Sequence, residues 1–160
     1  MKKLIYTLLI IIALTNNSFS AGDSNTTAKA SDYTKAKNLI NAAKKYEKKG
    51  KIDKAQERYA KAQKLLLKSN EIKPLQADTL NYLGFTTRKL GDYEKGEKFY
   101  LLGLQVEPNH NGINEYLGEL YVATNRMDMA KERLEVLKTC NCEEFNELKE
   151  IIEGTKNSKY

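Results

Sequence analysis

Histidine is almost missing from this chain, cysteine occurs twice and proline twice, in 160 residues. Each scarcity removes a kind of chemistry. An enzyme needs a nucleophile beside its base, a cluster of metal ligands, or a glycine loop that cradles phosphate. His110, the only histidine, has no sequence candidate for a partner and reads as an exposed loop residue. The glycines fall singly, on helix faces or at turns, and form no phosphate loop. Glutamates sit three and four residues from lysines, the ordinary pattern of a solvated helix face. A soft-metal site on Cys140 and Cys142 would want Met127 or Met129, but thirteen residues separate Met127 from Cys140. As helix that is about 20 Å at ~1.5 Å per residue, too far for one ion. The expectation is no enzyme, no cofactor and no metal.

A long apolar run is lacking too. Lys2 and Lys3 precede an apolar stretch from Leu4 to Leu14, and small polar residues follow. As helix, that stretch reaches only about 16 Å, about half of a ~30 Å hydrocarbon core. The layout is that of a secretory signal over residues 1–20, with Ser18 and Ser20 before cleavage at Ala21. The expected location is the periplasm or outside the cell, with no membrane insertion after cleavage. The alternative is an uncleaved anchor in the inner membrane. Loss of residues 1–20 lowers the formal charge from +6 to +4. An excess that small, spread over a chain with 30% charged residues, argues against a nucleic-acid partner. The local concentration at residues 42–54 contains acids and helix-phased alanines, so it reads as a solvated helix face. Residues 21–32 form a flexible leader and residues 155–160 a tail.

What the chain does have is a repeat of 34 residues. In a frame starting at Ala77, Leu83 and Gly84 take positions 7 and 8, Gly96 position 20, Tyr100 position 24, Gly103 position 27 and Pro108 position 32. The frame starting at Asn111 places Leu117, Gly118, Tyr121, Ala130 and Leu134 at positions 7, 8, 11, 20 and 24. An earlier frame from Ala36 has Ala42, Ala43, Tyr46, Ala55, Tyr59 and Ala62 in phase. Small residues at 8, 20 and 27 let two helices approach closely, and large ones at 7, 11 and 24 fill the space around them. Turns fall at Lys49-Gly50-Lys51, Leu90-Gly91-Asp92 and Thr124-Asn125-Arg126. Gly96 and Gly103 each cost an isolated helix ~1 kcal/mol relative to alanine, which a tight crossing would explain.

The pattern resembles the tetratricopeptide repeat, and the match covers about residues 36–144. The resemblance implies an all-α solenoid of helical hairpins over residues 33–154. Its repeats would span about 36–69, 77–110 and 111–144. A helix over about 142–153 would cap the last hydrophobic face, with Asn141 as its N-cap. Seven extra residues, 70–76, permit the second helix of repeat one to continue until Pro74 stops it. Thr87 stands at position 11, where tyrosine is usual, and is expected to loosen repeat two. Two cysteines in an exported chain favour a disulfide. One intervening residue makes the ring strained and easily reduced. The region also looks like small secreted bacterial proteins of this family, whose cysteine pair before the terminal helix is structural. Free thiols and a redox or copper-handling role remain open.

The resemblance implies a non-enzymatic scaffold or adaptor that binds another protein or peptide; a self-assembling envelope protein is the rival. The family's groove positions 2, 5, 9, 12 and 13 correspond to Lys37, Ile40, Lys44, Glu47 and Lys48 in repeat one. They are Asp78, Asn81, Phe85, Arg88 and Lys89 in repeat two, and Gly112, Glu115, Glu119, Val122 and Ala123 in repeat three. The set lacks the family's full Lys/Asn/Arg arrangement for a terminal carboxylate. Lys44, Lys48, Arg88 and Lys89 would make one end of the groove basic, and Glu115 and Glu119 the other end acidic. Phe85 would supply an apolar anchor near the middle.

Overall fold

A computed structural model describes residues 31–156, so the signal and nearly all of the leader lie outside the described residues, as does most of the tail. Among the described residues seven helices follow one another without a strand. They are α1 (Asp32–Glu47), α2 (Ile52–Ile72), α3 (Ala77–Lys89), α4 (Tyr93–Val106), α5 (Asn111–Ala123), α6 (Met127–Leu137) and α7 (Glu143–Ile152). None is long and apolar enough to cross a membrane. The leader does not reach residue 32. Ser31 caps α1, its Oγ accepting from the Thr34 N–H at 3.1 Å. Asp32, in the first turn, meets Lys35 at 3.0 Å and Lys68 of α2 at 3.1 Å.

Three hairpins arise from one turn used three times. Gly50, Gly91 and Asn125 hold φ of 67°, 95° and 58°, the left-handed region that ends a helix. Behind each, the carbonyl at position 11 accepts an amide from the start of the next helix. Lys51 donates to Tyr46, Asp92 to Thr87 and Arg126 to Tyr121, at 2.9, 3.1 and 2.8 Å. This backbone bond does not depend on the side chain at position 11. Thr87 therefore loosens nothing: it is buried, and its Oγ accepts from Gln63 Nε2 of α2 at 2.8 Å.

Helix α2 runs to Ile72 and stops before Pro74, after which Leu75 takes a φ of 57° and Gln76 leads into α3. Each hairpin packs on its neighbours in chain order, and α7 closes the stack against α5 and α6. The close approaches fall where the small residues are. A methyl group on Gly84 would lie 2.5 Å from the Tyr100 ring, and one on Gly118 would lie 2.5 Å from Leu148 of α7. Gly103 leaves room for Ile113, and Ala55, Ala62 and Ala130 are fully buried. Leu83, Tyr100, Leu117 and Tyr121 fill the core around them. Leu134 is half-buried and Pro108 is exposed, so neither is a core residue. The Pro108 carbonyl accepts from Asn114 Nδ2 at 3.0 Å. Asn141 does not cap α7. It turns the chain at a φ of 49°, and Cys142 occupies the cap position without a side-chain bond.

Candidate functional site

The first helices of the hairpins lie side by side, α1 on α3 and α3 on α5, and so share one face. The centre of that face is closed. Arg88, expected to be a groove cation, is 2% exposed. Its Nη1 donates to the Tyr116 carbonyl at 2.6 Å, and its Nη2 stands 3.6 Å from Glu119 Oε2. Both side chains are fully buried, so charge alone joins them across a distance longer than a hydrogen bond. Gly96 makes this possible, because a methyl there would crowd Arg88 Cβ at 3.2 Å and the Gly84 carbonyl at 3.1 Å. Burial pulls the Arg88 pKa down, and Tyr100 and then Glu119 oppose the change.

Phe85 is no exposed anchor either. It is 1% exposed and packs its ring against Tyr59 and Tyr116, with centroids 5.7 and 5.1 Å away. Lys44 covers it, with Nζ 4.6 Å from the ring centroid and 3.3 Å from the Tyr116 hydroxyl. One lysine thus reaches from α1 to α5. Lys89 pairs with Glu47 at 2.7 Å, and the Tyr59 hydroxyl donates to the same carboxylate at 2.8 Å. Burial first, then that bond to Glu47, pushes the Tyr59 hydroxyl far above the usual tyrosine range. Ile40, Asn81, Glu115 and Glu119 are buried as well. Lys37 is half-buried beside the Tyr33 and Tyr82 rings, and of the fifteen groove positions only Lys48, Asp78 and Ala123 are exposed. Sequence spacing found the helix face but not its depth.

Among the described residues open space remains on this face. Lys44, Glu47, Lys48 and Phe85 line a hollow of about 390 Å³ at the α1 end. Two adjoining hollows, about 360 and 220 Å³, lie between α3, α5 and α7 and share Glu115, Tyr116 and Glu144. Asp78, Glu107, Glu143 and Glu147 complete their acidic walls. His110 lines the larger one and is half-buried rather than loose. Its Nδ1 accepts from the Ile113 N–H at 3.1 Å, so in the neutral ring Nε2 carries the proton and donates to Asp78 at 3.2 Å. The α7 acids could not have been placed here from sequence, because nothing local says which way a capping helix lies.

Carboxylate oxygens of Glu115, Glu119 and Glu147 come within 4.8 Å of one another, a spacing that could hold a cation. Two cations of the chain already stand there. Arg88 faces Glu119, and Lys156 meets Glu147 at 3.2 Å. Cys140 and Cys142 are joined, Cα to Cα 5.2 Å apart, at the entry to α7.

No family model matches the chain, and no curated protein does. Solved structures similar to it include the first TPR of Spaghetti (RPAP3) bound to the HSP90 peptide SRMEEVD. That structure is 23% identical with a TM-score of 0.48, covering 78% of this chain and 96% of that one. The NMR structure of the first TPR domain of the human RPAP3 protein is also 23% identical, with a TM-score of 0.48 and coverage of 79% and 98%. The deciding observation lies in the chain itself. Helices α3 and α5 begin 34 residues apart, as do α4 and α6, and the same turn and the same close-approach positions recur in each hairpin. The chain has the tetratricopeptide fold. In this solenoid most repeat positions for helix contact are filled by buried side chains, whereas Arg88, Glu119, Lys89 and Glu47, at positions for ligand contact, pair with one another within the stack.

Proposed function

We propose that this solenoid is an exported, non-enzymatic scaffold that holds another protein or peptide on its first-helix face. The sorting of charge along that face carries the reading. Lys37, Lys44 and Lys48 stand at the α1 end, and Asp78, Glu107, Glu143 and Glu144 at the other. Such a surface orients an extended segment with its acidic end toward repeat one. Exposed ion pairs contribute only ~0.2–1 kcal/mol each, so charge sets direction and salt sensitivity more than affinity. Lys44 would have to swing aside for a ligand to reach Phe85. In an oxidising compartment Cys140 and Cys142 serve as a structural disulfide.

The test is capture from the periplasm with a photo-crosslinking residue at position 48 or 144, compared with position 101 or 131 on the second helices. Crosslinks confined to the first pair support the reading, and crosslinks confined to the second pair overturn it. Export is checked separately by intact mass: the protein should begin at Ala21, and retention of Met1 to Ser20 would revive the anchored form. A second reading, self-assembly through the outer faces, has its own observation. Ile52, Tyr93 and Met127, the first residue of each second helix, are 53%, 39% and 37% exposed. Light scattering over a concentration series separates the two, since only self-assembly makes the particle mass rise.

A further inference from the structure

We propose that the Cys140–Cys142 disulfide, beyond its structural part at the entry to α7, is an exchange site that passes its bond to a dithiol of a protein or peptide partner. The two cysteines stand two residues apart in sequence, and both are half-buried rather than sealed in the core. Cys142 lines a hollow of about 560 Å³, walled by Thr139, Asn141, Phe145 and Asn146, which has room for a thiol carried on a peptide. Helix α7 is held to the stack by other means: Leu148 and Ile151 are buried, and Leu148 lies against Gly118 of α5. The disulfide can therefore open while the fold stays closed, which exchange requires.

The position of Cys142 favours the open state. It is the N-cap residue of α7, a helix of ten residues. At the N-caps of α1, α4 and α5 the side chains of Ser31, Asp92 and His110 each accept an amide of the first turn, whereas the Cys142 side chain accepts none. Reduction changes that. A thiolate here can accept from those amides and meets the positive end of the helix, a setting in which thiols ionise more readily. Glu143, in the same turn, works against this, but it is exposed and water screens it. Between the cysteines Asn141 is held at a φ of 49°, a left-handed conformation that opening the ring is free to relax.

The exchange runs in two displacements. A partner thiolate in the hollow attacks Cys142 Sγ. A bond from the partner to Cys142 forms, the Cys140–Cys142 bond breaks, and its electron pair leaves on Cys140 Sγ, which takes a proton from water. The partner's second thiolate then attacks the partner sulfur of this mixed disulfide, and the electron pair leaves on Cys142 Sγ. The partner gives up two electrons and the cysteine pair gains them, so the transfer needs no other oxidant. A thiol of lower pKa leaves faster, so the second displacement is the one that the start of α7 assists.

The test mixes the full oxidised chain with a reduced synthetic peptide bearing two cysteines and follows peptide oxidation by mass. Oxidised glutathione at the same concentration is the comparison. The chain should oxidise the peptide about tenfold faster or more, with its circular dichroism unchanged before and after. In the reduced chain Cys142 should alkylate with iodoacetamide about threefold faster than Cys140, or more, at neutral pH. Of the single variants, Cys140→Ser should take up glutathione from its disulfide faster than Cys142→Ser does. Peptide oxidation no faster than by glutathione disulfide, equal reactivity of the two thiols, or loss of helical signal on reduction overturns the proposal and leaves the bond structural only. The crosslinks at positions 48 and 144 read the first-helix face independently, so either reading can fail without the other.

Discussion

Replacing Arg88 should damage the fold rather than a binding surface. Arg88→Met keeps most of the side-chain length but removes the guanidinium that stands 3.6 Å from Glu119 and donates to the Tyr116 carbonyl. Neither Arg88 nor Glu119 exposes any side-chain surface, so water cannot take over the charge left behind. Breaking a buried pair on one side typically costs about 3–5 kcal/mol, because a desolvated charge loses its counterpart. Total stabilities run only ~5–15 kcal/mol, so the single variant should be partly unfolded at moderate urea. Arg88→Met/Glu119→Leu should recover most of the loss, since two apolar side chains need no solvation to replace. Urea unfolding followed by circular dichroism, on the parent, both single variants and the double, closes the cycle. A single variant within about 1 kcal/mol of the parent, or a double variant worse than either single, would refute the argument.

Gly84→Ala should destabilise by about 1–3 kcal/mol despite its better helix propensity, because the fully buried Tyr100 ring cannot retreat from a methyl at 2.5 Å; a more stable variant in thermal unfolding would contradict that packing. Reducing Cys140–Cys142 should cost little, since a loop this short restricts the unfolded chain by only about 1.6 kcal/mol. A drop in melting midpoint of about 10 °C or more on reduction would show that the pair does more. Asp32 has its pKa lowered, first by Lys35 and then by Lys68, so the carboxylate stabilises the fold above the ordinary carboxylate range and loses that effect as pH falls. Asp32→Asn should therefore melt below the parent at neutral pH and level with it in acid; a gap that persists in acid would deny the tether.

The hairpin register could be read directly, because Leu83-Gly84, Leu117-Gly118 and the turn residues Gly50, Gly91 and Asn125 each report on a local requirement. A tight turn needs a left-handed residue, and a close crossing needs a missing side chain. The depth of the groove positions could not be read that way. Arg88 is buried because Gly96 on α4 vacates space and Glu119 on α5 supplies charge, and three helices must be in place before that is visible. Phe85 is hidden for a similar reason, since Lys44 comes from one repeat away to lie over it. A signal was available in the sequence: Arg88 and Glu119 stand at the groove positions of adjacent repeats with opposite charge. The acidic hollows depended on where α7 would fold back, which its amphipathic pattern alone does not specify.

The order of contacts has a mechanical consequence. Among the described residues helix α1 packs its backbone only on α2 and α3, and α7 only on α5 and α6, so the two ends of the described chain belong to opposite ends of the stack. Tension applied through those ends would be carried along the row of hairpins. A row whose members touch only their neighbours yields in steps, one hairpin peeling while the next still holds. Lys44, whose Nζ meets the Tyr116 hydroxyl at 3.3 Å, is a side-chain latch that must release before the first hairpin can lift away from the third.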